Sequence, residues 1–176
     1  MKGLAFAYDP DGYWVEIVEQ NYAAKIPNYF TFSQTMMRIK DPSKTIPFYE
    51  ALGMKLLGKF DLGTFTLFFL ASNCEATPED ELGTDETRAK LFKLFHPFLE
   101  FTHNHGTEND LDFKYYNGNE SGRQGFGHIG FLVDDVYKAC DSIRTFGYGF
   151  KKVSFCFHLV RNQFFLGCFL LDFTIT

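Results

Sequence analysis

The sequence predicts an α+β fold of repeated βαβββ modules, incomplete at the C-terminal end. Three observations carry that expectation: an internal repeat, hydrophobic periods that switch between strand and helix, and an N-terminal pair of strands that reads as the close of a unit. The repeat comes first. Phe30 to Leu57 (FTFSQTMMRIKDPSKTIPFYEALGMKLL) and Gly125 to Lys152 (GFGHIGFLVDDVYKACDSIRTFGYGFKK) follow one plan. Each opens with an apolar run holding one polar, metal-capable residue, Gln34 or His128. Each then reaches an aspartate suited to cap a helix, Asp41 before Pro42 and Asp134 or Asp135. Each helix closes on a glycine suited to the left-handed position, Gly53 or Gly147. Gln34 to Gly53 spans 19 residues, and so does His128 to Gly147.

The other elements follow in order. Ile46, Tyr49 and Leu52 recur at helical spacing, as do Val136, Cys140, Ile143 and Phe146. Strand-like runs cover Met54–Phe60 and Phe65–Ala71, with Gly63 as the turn between them. The polar stretch Ser72–Arg88 reads as a loop, and Phe95–Thr102 as a closing strand. At the N-terminus, KGLAFAYDPDGYWVEIV reads as two strands joined by Asp9-Pro10-Asp11-Gly12. The expected organisation is therefore terminal strands of a preceding module (1–20), a complete βαβββ module (28–105), a linker loop (106–124), the start of a further module (125–152) and an aberrant hydrophobic tail (153–176).

Bulk composition narrows the function classes. Of 176 residues, 45% are apolar, which is globular. The balance of 17 basic and 22 acidic residues gives a net charge of -5 and no basic face for nucleic acid. The start lacks a signal-peptide core. The tail is apolar but broken by His158, Arg161, Asn162 and Gln163, so it is not read as a membrane span. The four cysteines form no CxxC pair, which fits free thiols in a reducing, cytoplasmic compartment.

The residues that could do chemistry stand out as a set. Glu100 in PFLEFTHN and Glu16 in YWVEIVEQ are carboxylates among apolar neighbours in strands, a costly placement unless each is paired or bound to metal. Taken alone, either reads more readily as a residue on a solvated edge strand. Gln34 alone is an ordinary hydrogen-bonding residue, and His128 alone an ordinary structural histidine. Together, the opening and closing strands of such units offer one nitrogen and three oxygen donors, a mixture suited to a divalent metal. His103 and His105 are a rival pair, but alternation puts both on the strand face opposite Glu100.

With these residues laid out, the chain resembles the glyoxalase I (lactoylglutathione lyase) family of the vicinal-oxygen-chelate superfamily. The likeness rests on QTMMRIKDP, LEFTHNHGTE, YYNGN, GFGHIGFLVDDVYKAC and KGLAFAYDPDGYWVEI. It implies Gln34, Glu100, His128 and Glu16 as metal ligands, with Glu16 as the base and Glu100 its catalytic partner. It implies glutathione contacts at Arg38, Asn104 and Lys151. The family's arginine directly before GFGH is replaced by Gln124, leaving Arg123 one place earlier as the candidate. The implied reaction isomerises the hemithioacetal of methylglyoxal and glutathione to S-lactoylglutathione through a metal-stabilised enediolate. The insert before LEFTHN resembles the zinc-using branch, although nickel or cobalt accepts similar donors.

The order of segments departs from the family's two-unit chains, in which DPDGYWVEI comes last. It resembles the middle of a fused four-module form. A permuted arrangement, with the N-terminal hairpin docked beside the segment after Gly125, would let all four ligands meet in one chain or across a homodimer. Two other readings stay open: an inactive or truncated metal-binding fragment, and another superfamily enzyme such as a dioxygenase or epimerase. Gln34 argues against the dioxygenases, which use two histidines and a carboxylate on iron.

Overall fold

The structure, a computed structural model, describes residues 4–19, 31–91, 93 and 97–150. Two sheets are present among them. Strands β1 (Leu4–Tyr8) and β2 (Trp14–Val18) form an antiparallel hairpin. Its turn is fixed by Asp9, whose Oδ1 accepts from the amides of Asp11 (2.9 Å) and Tyr13 (2.8 Å). Gly12 supplies the left-handed residue at φ 86°.

The second sheet contains β3 (Gln34–Ile39), β4 (Lys55–Asp61), β5 (Phe65–Ala71) and β6 (Phe98–Asn104), in the order β3-β6-β5-β4. The pairing of β3 with β6 is parallel and the other two are antiparallel. Helix α1 (Pro42–Ala51) connects β3 to β4. The expected order of strand, helix and three strands is thus what forms, with one addition. Helix α2 (Asp85–Leu91) begins inside the stretch read as a loop. Acidic Asp85 and Glu86 in its first turn and basic Arg88 and Lys90 in its last complement the helix dipole. Thr84 Oγ1 accepts from the Thr87 amide at 3.2 Å. These local signals outweigh the polar composition of the stretch.

The sheet has two different faces. Ile39, Leu99, Phe101, Phe68 and Leu70 point to one side and form the main core with Met54 and with Ile46 and Tyr49 of α1. On the other side Phe60, Ala71 and Phe98 pack with Leu57 and with Leu91 of α2. At Gly58 a Cβ would fall 2.9 Å from Leu91 Cδ1, so α2 sits this close only because the position is glycine. Helix α2 covers the end of this second face near Phe98. Along β3 the face is open, with Met36 and Arg38 exposed.

The two helices expected from the sequence have matching ends. Asp41 caps α1 at φ −142°, ψ 105°, and Asp135 caps α3 (Val136–Thr145) at φ −141°, ψ 109°. Both helices end in the same double hydrogen bond. The Gly53 and Met54 amides donate to Glu50 and Tyr49 carbonyls, and the Gly147 and Tyr148 amides to those of Arg144 and Ile143.

The run before α3 differs from expectation. The apolar run from Gly125 that holds His128 was expected to be an opening strand, and it makes no ladder among the described residues. A strand is defined by its neighbour: β3 obtains its ladder from β6, and this run finds no such partner among the described residues. It packs by side chains instead, Ile129 against the main core and Phe131 with its ring 6.4 Å from that of Tyr49. The expected apolar face of α3 is also largely uncovered, with Val136 and Phe146 more than half exposed. The tail 153–176 lies outside the described residues.

Candidate functional site

Strand alternation decides which side chains share the open face. On β3 these are Gln34, Met36 and Arg38; on β6, in register with them, Phe98, Glu100, Thr102 and Asn104. Phe65, Leu67 and Phe69 of β5 lie on the same side. Phe69 packs edge-to-face on Phe98 (5.5 Å between centroids) and on Phe60 (5.8 Å). Glu100 therefore emerges beside an aromatic floor. His103 falls on the opposite face, as alternation requires, with the main core.

The hairpin brings in the third group. Gln34 Nε2 donates to Glu16 Oε2 at 2.8 Å and to Glu100 Oε2 at 2.5 Å. One amide thus bridges two carboxylates, from β2 and β6, that are 84 positions apart in the sequence. The electrostatics follow from this crowding. Burial, first, and the nearby Glu16 charge, second, push the Glu100 carboxyl up to about 7, while the hydrogen bond from Gln34 works the other way. Burial also raises Glu16. The hairpin also meets the segment after the linker: a Cβ on Gly125 would lie 3.5 Å from Tyr13 Oη.

The other candidates are placed as follows. Arg38 is exposed on the open face, four residues along β3 from Gln34. Asn104 lies at the end of β6 and donates from Nδ2 to Tyr115 Oη at 3.0 Å. Arg123 stacks its guanidinium 4.0 Å above the Tyr116 ring. Lys151 lies outside the described residues. His128 is exposed, and among the described residues no three His, Cys, Asp or Glu side chains group closely enough to hold a metal ion. Downstream of His128, Ile129 packs on the main core and Phe131 lies beside Tyr49 of α1. Residue reasoning missed Tyr115 as the partner of Asn104. The YYNGN motif held that residue, but nothing in its spacing points to β6.

The donor chemistry of the site fits a divalent cation. Glu16 and Glu100 contribute carboxylate oxygens from two strands, and the Gln34 amide nitrogen stands between these two carboxylates, which repel each other. An amide can turn its oxygen inward in place of its nitrogen. A dication would offset the burial and the Glu16 charge that together raise Glu100.

Residues 31–154 match the family model described as the Glyoxalase/Bleomycin resistance protein/Dioxygenase superfamily. The chain belongs to this superfamily. Among its relatives, the lactoylglutathione lyase of Schizosaccharomyces pombe is 41% identical over 157 residues, covering 86% of this chain and 47% of that protein. The lactoylglutathione lyase of Pseudomonas putida is 44% identical over 127 residues, 70% of each. The chain spans about half the length of the S. pombe relative and 36% of the Saccharomyces cerevisiae glyoxalase I. The trypanothione-dependent glyoxalase I of Leishmania major superposes with a TM-score of 0.45 at 27% identity over 68% of each chain. The α+β class expected from the sequence is that of the superfamily.

Proposed function

We propose that this superfamily member is a lactoylglutathione lyase, converting the hemithioacetal of methylglyoxal and glutathione to S-lactoylglutathione. The observation that carries the reading is the bridge of Gln34 to Glu16 and Glu100 on the open sheet face. Gln34, Glu16 and Glu100 would hold the cation, with His128 as the fourth ligand. Zinc is the proposed metal, and the donors equally admit nickel or cobalt. When bound, such an ion polarises the oxygens of the substrate.

The chain's own residues account for the rest. Glu16 takes a proton from the hemithioacetal carbon and returns it to the neighbouring carbon. Glu100 is its partner across Gln34. A carboxyl held near neutrality by burial is suited to exchanging protons at working pH. Phe60, Phe69 and Phe98 exclude water from one flank. Arg38, Asn104, Arg123 and Lys151 bind the glutathione moiety, the cationic groups by charge-assisted hydrogen bonds to its carboxylates.

The exposed His128, followed along the chain by exposed Leu132, Val133 and Val136, supports a homodimer in which His128 of one copy completes the ligand set of the other. The free thiols Cys74 and Cys140 fit a reducing cytoplasm. No helix among the described residues is long and apolar enough to cross a membrane.

The test is formation of the S-lactoylglutathione thioester, followed by its ultraviolet absorbance, with zinc, nickel or cobalt added to the metal-free chain. Turnover is expected in wild type and should fall by about three orders of magnitude in Gln34→Ala, Glu16→Ala and Glu100→Ala. Mixing Glu16→Ala with His128→Ala should restore part of it if two copies share a site. Turnover unaffected by all three substitutions, or none with any of the metals, overturns the reading.

A further inference from the structure

The parallel pair β3 and β6 separates the site along its length. Gln34 and Glu100 lie toward the start of the two strands. Arg38 and Asn104 lie four residues further on, about 13 Å away at the rise of an extended chain. What holds that far end together lies on the other face. His103 is 7% exposed, and its Nε2 is 2.8 Å from Glu108 Oε2. The same Glu108 oxygen accepts from the Gly106 amide at 2.9 Å, and its Oε1 from Asn109 Nδ2 at 3.2 Å. The carboxylate thereby closes the turn after β6, where Gly106 sits at φ 96°. That turn presents Thr107, whose Oγ1 lies 2.8 Å from the Lys40 carbonyl at the end of β3 and 2.9 Å from the Asn104 carbonyl at the end of β6.

We infer that the His103–Glu108 pair is a positioning device for glutathione recognition. Through the Gly106 turn and the Thr107 hydroxyl, it sets the spacing between the strand ends that carry Arg38 and Asn104. The inference rests on the proposed function, because it takes those two residues as glutathione contacts. Neither His103 nor Glu108 faces the substrate. Their effect is therefore confined to the recognition end, and the proton-transferring end is untouched.

Glu108→Ala and Glu108→Gln separate this role from simple stabilisation. Glu108 is partly exposed, and glutamine retains its shape and an oxygen that accepts from His103 and Gly106. The probe is S-hexylglutathione, titrated by calorimetry into the zinc-loaded chain. Glu108→Ala should weaken binding about tenfold, the scale of one lost charge-assisted hydrogen bond, and raise KM for the hemithioacetal alike. Its kcat should remain within about twofold of wild type, as for loss of uniform binding. Glu108→Gln should recover wild-type affinity to within about threefold. Unchanged affinity in Glu108→Ala, or a fall in kcat as large as the loss of affinity, overturns the inference alone. Failure of the wild-type chain to bind the thioether overturns the functional reading as well.

Discussion

Glu100→Gln should make the metal-free protein more stable at neutral pH. Glu100 shares its sheet face with Phe98 and Phe69, and its carboxyl faces the Glu16 charge across Gln34. It is raised from the ordinary carboxylate value to about 7. A group raised on folding favours the folded state while protonated, so its contribution is complete below about pH 4 and declines as pH climbs through 7. A shift of that size corresponds to about 3 kcal/mol lost between these limits. Glu16 is raised too and tilts the curve the same way. Glutamine keeps the shape and the hydrogen bond from Gln34 while removing one of the two charges. Urea unfolding in EDTA, at half-unit steps from pH 4 to 8, should give nearly equal stabilities for the two proteins at pH 4. The variant should gain up to about 3 kcal/mol over wild type by pH 8. Parallel curves across the range would show that Glu100 is not confined as described, and the reasoning would fail.

Saturating zinc should raise the melting temperature of wild type, with binding at a hundredfold excess over Kd adding about 3 kcal/mol; the Glu16→Ala/Glu100→Ala double variant should gain far less, as read by differential scanning calorimetry. Phe101 is fully buried between sheet and α1, and Phe101→Ala should cost about 3–5 kcal/mol in urea unfolding. Two glycines with positive φ should respond differently. Gly53→Ala, with open space around it, should cost only about 1 kcal/mol of backbone strain. Gly118→Ala would bring its Cβ to 2.1 Å from the Phe126 carbonyl oxygen and should cost more than twice as much, about 3 kcal/mol; equal losses by thermal unfolding would contradict the close packing of these two segments.

The sequence made legible whatever is encoded locally. Asp41 and Asp135 announce their helices because a carboxylate two or three residues ahead of free amides needs no tertiary help. Gly53 and Gly147 end those helices because few other residues tolerate that backbone angle. Gln34, Glu16, Glu100 and His128 were legible as a set through their matching places in successive units, and the first three meet through the Gln34 amide. Elements that depend on distant partners were not. The run at Gly125 has strand composition and no ladder. Helix α2 is too short to outshout its polar surroundings in a pattern reading, and it is stabilised by Leu91 meeting a sheet that the local sequence does not reveal. The pairing of His103 with Glu108 depends on the angle at Gly106, which spacing alone does not supply.

The parallel seam between β3 and β6 has a kinetic corollary. The β4–β5 hairpin needs only a three-residue turn, whereas Gln34 meets Phe98 across an excursion of more than sixty residues. Loop entropy puts such a closure late in folding. The corner where Gln34 and Glu100 meet is thus the last part of the sheet to zip up, and the cation proposed to bind there would act on an almost finished chain, as a fastener and not as a nucleus.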